Sequence, residues 1–307
     1  MKKAIALLIT LSLITIISVI VSKIITIMDN SLKEINKREA LIQFDTLFND
    51  IKKILDRSVT DINDSTSLEL LFLLPYSFND IESGININIE MESDSSKINP
   101  NLLMDVNRSK INDENHGEQI NKDIYSLFDR ILLNYNIQNR ELFLSMLLDT
   151  IDEDKEERYP NSEIANFNHF FQNGEIINMR HFKQIIKRYR DLTLDKNIDN
   201  IPWDMLIGFR SKIIDFNYIT PELLSFLLPS LDKESLYKIT LNKLVTYDNF
   251  DELELPNDLN EQLKRYNIKF FSPEIWCIID FQFNEYSKNI SFQYNLKEKK
   301  VSYIEEF

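Results

Sequence analysis

The sequence predicts an α+β chain in which a long N-terminal helix, transmembrane at its start, packs on a small antiparallel sheet, with a large all-α domain inserted between strands. Three observations carry this reading. Residues Ala4 to Ser22 contain no charged side chain and follow Lys2 and Lys3. Strand-like alternation occurs at two distant places, "GININIEMES" and then "IWCIIDFQF", "ISFQYNL" and "VSYIEEF" near the end. Between them, from about Pro100 to Gln262, apolar residues recur with the period of a helix.

The N-terminal run comes first. At 1.5 Å per residue, Ala4 to Ser22 spans about 28 Å, close to the roughly 30 Å hydrocarbon core of a bilayer. Lys2 and Lys3 put the short N-terminus inside and the bulk of the chain outside, with a single membrane pass as the expected topology. A cleaved secretory signal is the competing reading; it would have a shorter apolar region ending at a small-x-small site, and "ISVIVSKIITIM" offers none. The helical pattern then continues. Leu41, Phe44, Phe48, Ile51 and Leu55 recur at three- and four-residue steps, which marks one apolar face. A half-helix with one apolar stripe must lie on something.

Strands supply the partner. Ile85, Ile87, Ile89 and Met91 alternate with Asn86, Asn88 and Glu90, and Ile290, Phe292, Tyr294 and Leu296 share one face of a later strand. In the intervening region Ile124, Phe128, Ile131, Leu132 and Tyr135 make one amphipathic face, and Leu142, Phe143, Met146 and Leu147 another. Further helices are expected near Phe182 to Tyr189, Trp203 to Ile213, Pro221 to Leu228 and Leu236 to Val245. The chain divides accordingly at 1–22, 23–99, 100–262 and 263–307.

Composition narrows the function. A formal charge of −14 with no Lys/Arg-rich cluster argues against nucleic acid, because the counterion-release term is missing. The single Cys277 excludes an intramolecular disulfide, and beside Trp276 it reads as a buried small hydrophobe. His116, His169 and His181 lack metal-ligand spacing, and no phosphate loop, nucleophile elbow or HExxH motif occurs. The densest chemistry is "LLDTIDEDKEERYPNSEIANF", which holds Asp149, Asp152, Glu153, Asp154, Glu156, Glu157 and Glu163 around a turn at Pro160 and Asn161. Carboxylates this close repel one another unless they are exposed or neutralised. The stretch is therefore either a solvated acidic turn or a site for a hard divalent cation, with calcium the natural ion; it lacks the loop spacing of an EF-hand.

The leader, "GININIEMESDSSKINPNLL", "IDEDKEERYPNSEI" and "IDFNYITPELL" together resemble the minor pseudopilin K family of type II secretion systems, also called general secretion pathway protein K, in the same order along nearly the whole chain. The resemblance implies a pilin-like domain interrupted by a helical insertion, held by a single pass through the inner membrane with the C-terminal domain in the periplasm. On it, 1–22 is a prepilin-type leader and transmembrane helix, 23–99 and 263–307 are the two parts of the pilin-like domain, and 100–262 is the insertion. Ala4 stands where the family's leader has Gly, so a prepilin peptidase would leave Ile5 as the first mature residue. Most pilin-like subunits carry a Glu four residues after that point; here it is Ile9, which the resemblance reads as an assembly position suited to a subunit with none above it. Asn99 and Asn101 resemble the family's first Asn-rich motif, and Asp215 and Asn217 its second, with Tyr218 in place of Thr. The calcium ligands it implies are Asp152, Asp154 and Glu163, while Ile164 replaces the Asp that ordinarily follows.

The function expected on this resemblance is non-enzymatic: a subunit at the pseudopilus tip that helps initiate assembly with other minor pseudopilins of the I and J types for protein export across the outer membrane. A minor tip pilin of a type IV pilus, and a membrane-anchored periplasmic binding protein using its acidic face, are the alternatives.

Overall fold

The computed structural model describes residues 2–73, 76–80, 82–105, 119–241 and 246–306, with the side chains of residues 2–17, 61, 105, 119 and 241 outside that description. Helix α1 runs from Lys2 to Ser58. No Gly or Pro interrupts it, and the pairs Asp29–Lys33 (3.1 Å) and Glu34–Arg38 (2.9 Å) sit acid before base at i,i+4, the favourable order along a helix. The chain then forms α2 (Ser65–Leu73), the hairpin β1 (Tyr76–Asp80) and β2 (Ile85–Ser93), and a short ribbon of β3 (Met104–Asp105) with β4 (Gln119–Ile120). Helices α3 (Lys122–Asn134), α4 (Arg140–Ile151), α5 (Met179–Thr193) and α6 (Trp203–Leu206) follow, then β5 (Ile214–Asp215), α7 (Pro221–Leu227), α8 (Lys233–Leu241) and α9 (Asn257–Lys264). Strands β6 (Ile268–Lys269), β7 (Glu274–Phe283), β8 (Tyr286–Asn295) and β9 (Lys300–Glu306) close the chain.

The main sheet has the order β1-β2-β7-β8-β9 and is antiparallel throughout, so β2 and β7 are neighbours although all the helices from α3 to α9 lie between them in sequence. Register places Met91 opposite Cys277 and Cys277 opposite Phe292, which brings their side chains to one face. Helix α1 lies on that face: Phe44 meets Phe281 edge-on with ring centroids 5.6 Å apart, and Phe48 meets Phe292 at 5.2 Å. Phe44, Ile51 and Leu55 are buried there, each contributing about 1.5–3 kcal/mol of apolar burial. Two hydroxyls add register, as Tyr294 donates to Asp56 Oδ1 (2.5 Å) and Tyr286 to the carbonyl of Lys33 (2.6 Å). Leu41 departs from the expected apolar face: it is 43% exposed, because the sheet meets the stripe through Ala40 and Phe44 and Leu41 falls on its flank. Cys277 is fully buried in β7, and burial pushes its thiol pKa upward, so it stays protonated and inert.

A second hydrophobic cluster belongs to the helices, with Phe143 at its centre against Tyr189 (5.4 Å), Trp203 (5.8 Å) and Phe182 (6.2 Å). The helix starts are fixed by side-chain caps: Asn121, Asn139, Asn178 and Thr220 each accept a hydrogen bond from a backbone N–H in the first turn of α3, α4, α5 and α7. The helix expected over Trp203 to Ile213 ends at Leu206. Ile98 intercepts it, accepting from Gly208 N and donating to the Leu206 carbonyl, both at 3.0 Å, so the backbone leaves the helix for a bridge.

The transmembrane part of the predicted fold class is overturned. Among the described residues no helix is long and apolar enough to cross a membrane, and the single-pass inner-membrane topology with a periplasmic bulk falls with it. From Ser18 on, where side chains are described, Lys23, Asp29, Lys33 and Glu34 recur too often for an uninterrupted apolar span, and the greater part of the expected span Ala4 to Ser22 lies on residues whose side chains are outside that description. What stands is an α+β arrangement of a long helix on a small sheet, with helices inserted between two of its strands.

Candidate functional site

The acidic stretch folds as a turn between the end of α4 and the short helical turn Ile164–Asn166. Asp149 and Asp152 are buried at the C-terminal end of α4. Arg158 folds back over them, donating to Asp149 Oδ1 (2.8 Å) and to Asp152, while Ser162 donates to the other oxygen of Asp149 (2.5 Å). Burial works against the Arg158 charge, but the hydrogen bonds it donates to Asp149 and Asp152 outweigh it and raise its pKa. A guanidinium of this chain thus stands between two of the acids. Sequence reasoning missed that role, since Arg158 sits nine residues from Asp149, a spacing that no helical or strand rule pairs.

Glu163 is treated differently. Its carboxylate is fully buried, accepts the Ala165 backbone N–H (2.8 Å) and is spanned by Asn173 Nδ2 at 3.1 Å from each oxygen. Burial raises its pKa, with Asp149 and Asp154 adding to the rise, against the hydrogen bonds from Asn173 and Ala165. Asn173 Nδ2 also reaches the Asp154 carbonyl at 2.9 Å, while the exposed Asp154 side chain accepts from Glu156 N (2.8 Å). The three expected ligands therefore share one loop with distinct environments. Among the described residues no group of three or more His, Cys, Asp or Glu side chains is arranged to hold a metal ion. His181 is buried against Phe171, with ring centroids 4.6 Å apart, and burial lowers its pKa; His169 is exposed, and His116 lies outside the described residues.

The second feature is the first half of α1. Val19, Ile20, Val21, Ile24, Ile25, Ile27, Met28, Leu32 and Ile35 are each between 48% and 63% exposed and point to all sides of the helix. An all-round apolar helix is ordinarily buried, and this chain covers none of these residues. Ala4, Ile5 and Ile9 lie outside the residues whose side chains are described. Of the motif residues, Asn99 caps the turn Pro100–Leu103 by accepting from Asn101 N within it, and Asp215 and Asn217 are fully buried where β5 passes into the next turn.

No protein-family model matches the chain, and no curated protein does. Its fold is similar to that of a chain in the crystal structure of the GspK-GspI-GspJ complex from the enterotoxigenic Escherichia coli type 2 secretion system, with a TM-score of 0.64. The alignment covers 91% of this chain and 99% of that one at 13% identity, a likeness of fold.

Proposed function

We propose that this chain is a non-enzymatic structural subunit of a type II secretion pseudopilus, standing at its tip and helping to initiate assembly for protein export across the outer membrane with minor pseudopilins of the I and J types. The observation that carries the reading is the uncovered apolar surface of α1 from Val19 to Ile35, which requires other polypeptides to cover it. The full-length likeness to a component of a secretion-system complex supports it, as does the helical insertion, a bulk that would obstruct stacking of another subunit above. An apolar Ile9 suits a subunit with no neighbour above it, since an unpartnered acid in an apolar setting is costly. Processing by a prepilin peptidase after Ala4 belongs to the same reading.

Deleting the gene in the source organism should stop export of the secreted proteins, and a copy carrying Ile24→Asp with Ile27→Asp should fail to restore it. Full restoration by that copy would overturn the reading; loss of surface pili with export intact would favour a type IV pilus tip. The mature N-terminus, read by mass spectrometry, should begin at Ile5.

Calcium at Asp152, Asp154 and Glu163 remains part of the proposal. Its support is the burial of Glu163, whose raised pKa marks a carboxylate that a proton or a divalent cation would relieve. The three ligands' own chemistry, two Asp and one Glu beside an Asn amide, suits a hard cation. Calcium should raise the melting temperature by an increment that chelator removes and Asp152→Ala with Asp154→Ala abolishes, about 2.7 kcal/mol at a hundredfold excess over Kd.

A further inference from the structure

Two chain segments join the sheet to the helical insertion: residues 94–99 leave β2 and residues 270–273 enter β7. An insertion held by two adjacent linkers can swing about them unless something off that axis holds it. The linkers themselves are tied to the insertion by a buried polar knot. Ser95 Oγ lies 2.9 Å from Ser211 Oγ and 2.7 Å from Ser272 Oγ, Asp215 N donates to the Ser95 carbonyl (2.7 Å), and Ser272 N donates to Asp215 Oδ2 (2.8 Å). Ser95, Ser272 and Asp215 are fully buried, so these bonds are not shared with solvent.

Two further contacts reach past the linkers into the sheet unit. One is Arg210 of the insertion: it bonds Asp94 at 2.8 Å, lies with its guanidinium carbon 3.3 Å from the ring centre of Trp276 on β7, and approaches Glu305 on β9 at 3.9 Å. Asp94 is held in turn by Gln293 of β8 at 2.7 Å. The other is Asn217, whose amide nitrogen reaches Ser65 Oγ at the start of α2 (3.0 Å) and the carbonyls of Phe270 (2.7 Å) and Tyr247 (2.8 Å), while its oxygen accepts from Tyr247 N (2.9 Å). Beside it Tyr218 meets Phe72 of α2 edge-on at 5.3 Å, and Thr246 pairs with Thr66 at 2.8 Å. Arg210 thus ties the insertion to β7 and β9, and Asn217 ties it to α2.

We propose that Arg210 and Asn217 are paired clamps that lock the helical insertion and the sheet unit into one rigid body, so the insertion is carried at a fixed angle to α1. A hinge between packed units needs a few residues free to change φ and ψ. Here the linkers are bonded at Ser95 and Asn99 in one and at Phe270 and Ser272 in the other, and the flanking contacts oppose rotation in either sense. A fixed angle means that any load or contact received by the helical unit is passed to α1 without loss in a joint.

Pulsed electron–electron resonance on the full chain tests this, with spin labels on the exposed positions Ser77→Cys in β1 and Lys187→Cys in α5; Cys277 is fully buried and stays unlabelled. The expected result is a single narrow distance distribution that Arg210→Ala with Asn217→Ala broadens about twofold or splits. If loss of the buried Asn217 prevents folding, Arg210→Gln alone, on a side chain that is partly exposed, should still widen the distribution. A broad or two-peaked distribution in the parent would overturn the proposal, and so would folded clamp variants with the parental width.

Discussion

The two halves of α1 are continuous in backbone and unlike in surroundings. From Ala40 to Leu55 the chain covers the apolar stripe itself, with Phe44 and Phe48 seated on Phe281 and Phe292; from Val19 to Ile35 equally large side chains stand in the open. The first case is a folding interaction and the second is a demand for partners. The acidic loop repeats the contrast on a smaller scale. Asp149 and Asp152 receive a guanidinium from their own chain, whereas Glu163 is buried with only amides to meet it and its pKa rises. Where a chain supplies the complement, substitution should cost stability; where it does not, substitution should cost association.

Phe44→Asp puts a carboxylate into the seam between α1 and the sheet, removing about 1.5–3 kcal/mol of burial and adding the cost of a buried charge, so the sheet unit should lose its cooperative melt in circular dichroism. Arg158→Ala leaves Asp149 and Asp152 buried without that guanidinium, and urea melts should show a loss of about 3–5 kcal/mol. Tyr294→Phe deletes one hydroxyl bonded to Asp56, with an expected loss of about 1–2 kcal/mol.

Glu163→Gln tests the loop by pH. A carboxylate whose folded pKa is raised contributes stability that is fully present below its unfolded value, about 4.3, and lost as pH rises through the folded value. In chelator, urea melts from about pH 4 to 7 should therefore show the parent weakening relative to Glu163→Gln as pH rises. Parallel curves would show that Glu163 titrates normally. Added calcium should stabilise the parent and leave Glu163→Gln unmoved if the cation, not a proton, answers that carboxylate.

Much of this was legible beforehand. Strands β2 and β8 announced themselves by alternation, β7 and β9 as strand-like runs, and α3 and α5 by strong helical periodicity, whereas α4 is buried on every side from Leu142 to Ile151. Strand β1 was not: "YSFND" has no apolar alternation and becomes a strand through its pairing with β2. Nor was α2, whose Leu-rich run carries no polar face to set a period, or the early end of α6, imposed by Ile98 from a hundred residues away. The acids of the loop were visible as a cluster, but their division into a set held by Arg158 and a separate Glu163 depends on a turn that folds the chain back on itself. The many Asn residues, which composition alone leaves unexplained, include the caps of three helices and the clamp at Asn217.

The contrast within α1 rests on what covers its first half. Ile24→Asp with Ile27→Asp should leave urea stability within about 0.5 kcal/mol of the parent, unlike Phe44→Asp, since no contact of the fold is lost. The most direct measurement is photo-cross-linking in the source organism with a reactive side chain at Ile27, the adducts being identified by mass spectrometry. The expected result is covalent joining to a second, pseudopilin-like polypeptide; adducts confined to this chain, or none above the unirradiated control, would contradict an assembly surface on α1.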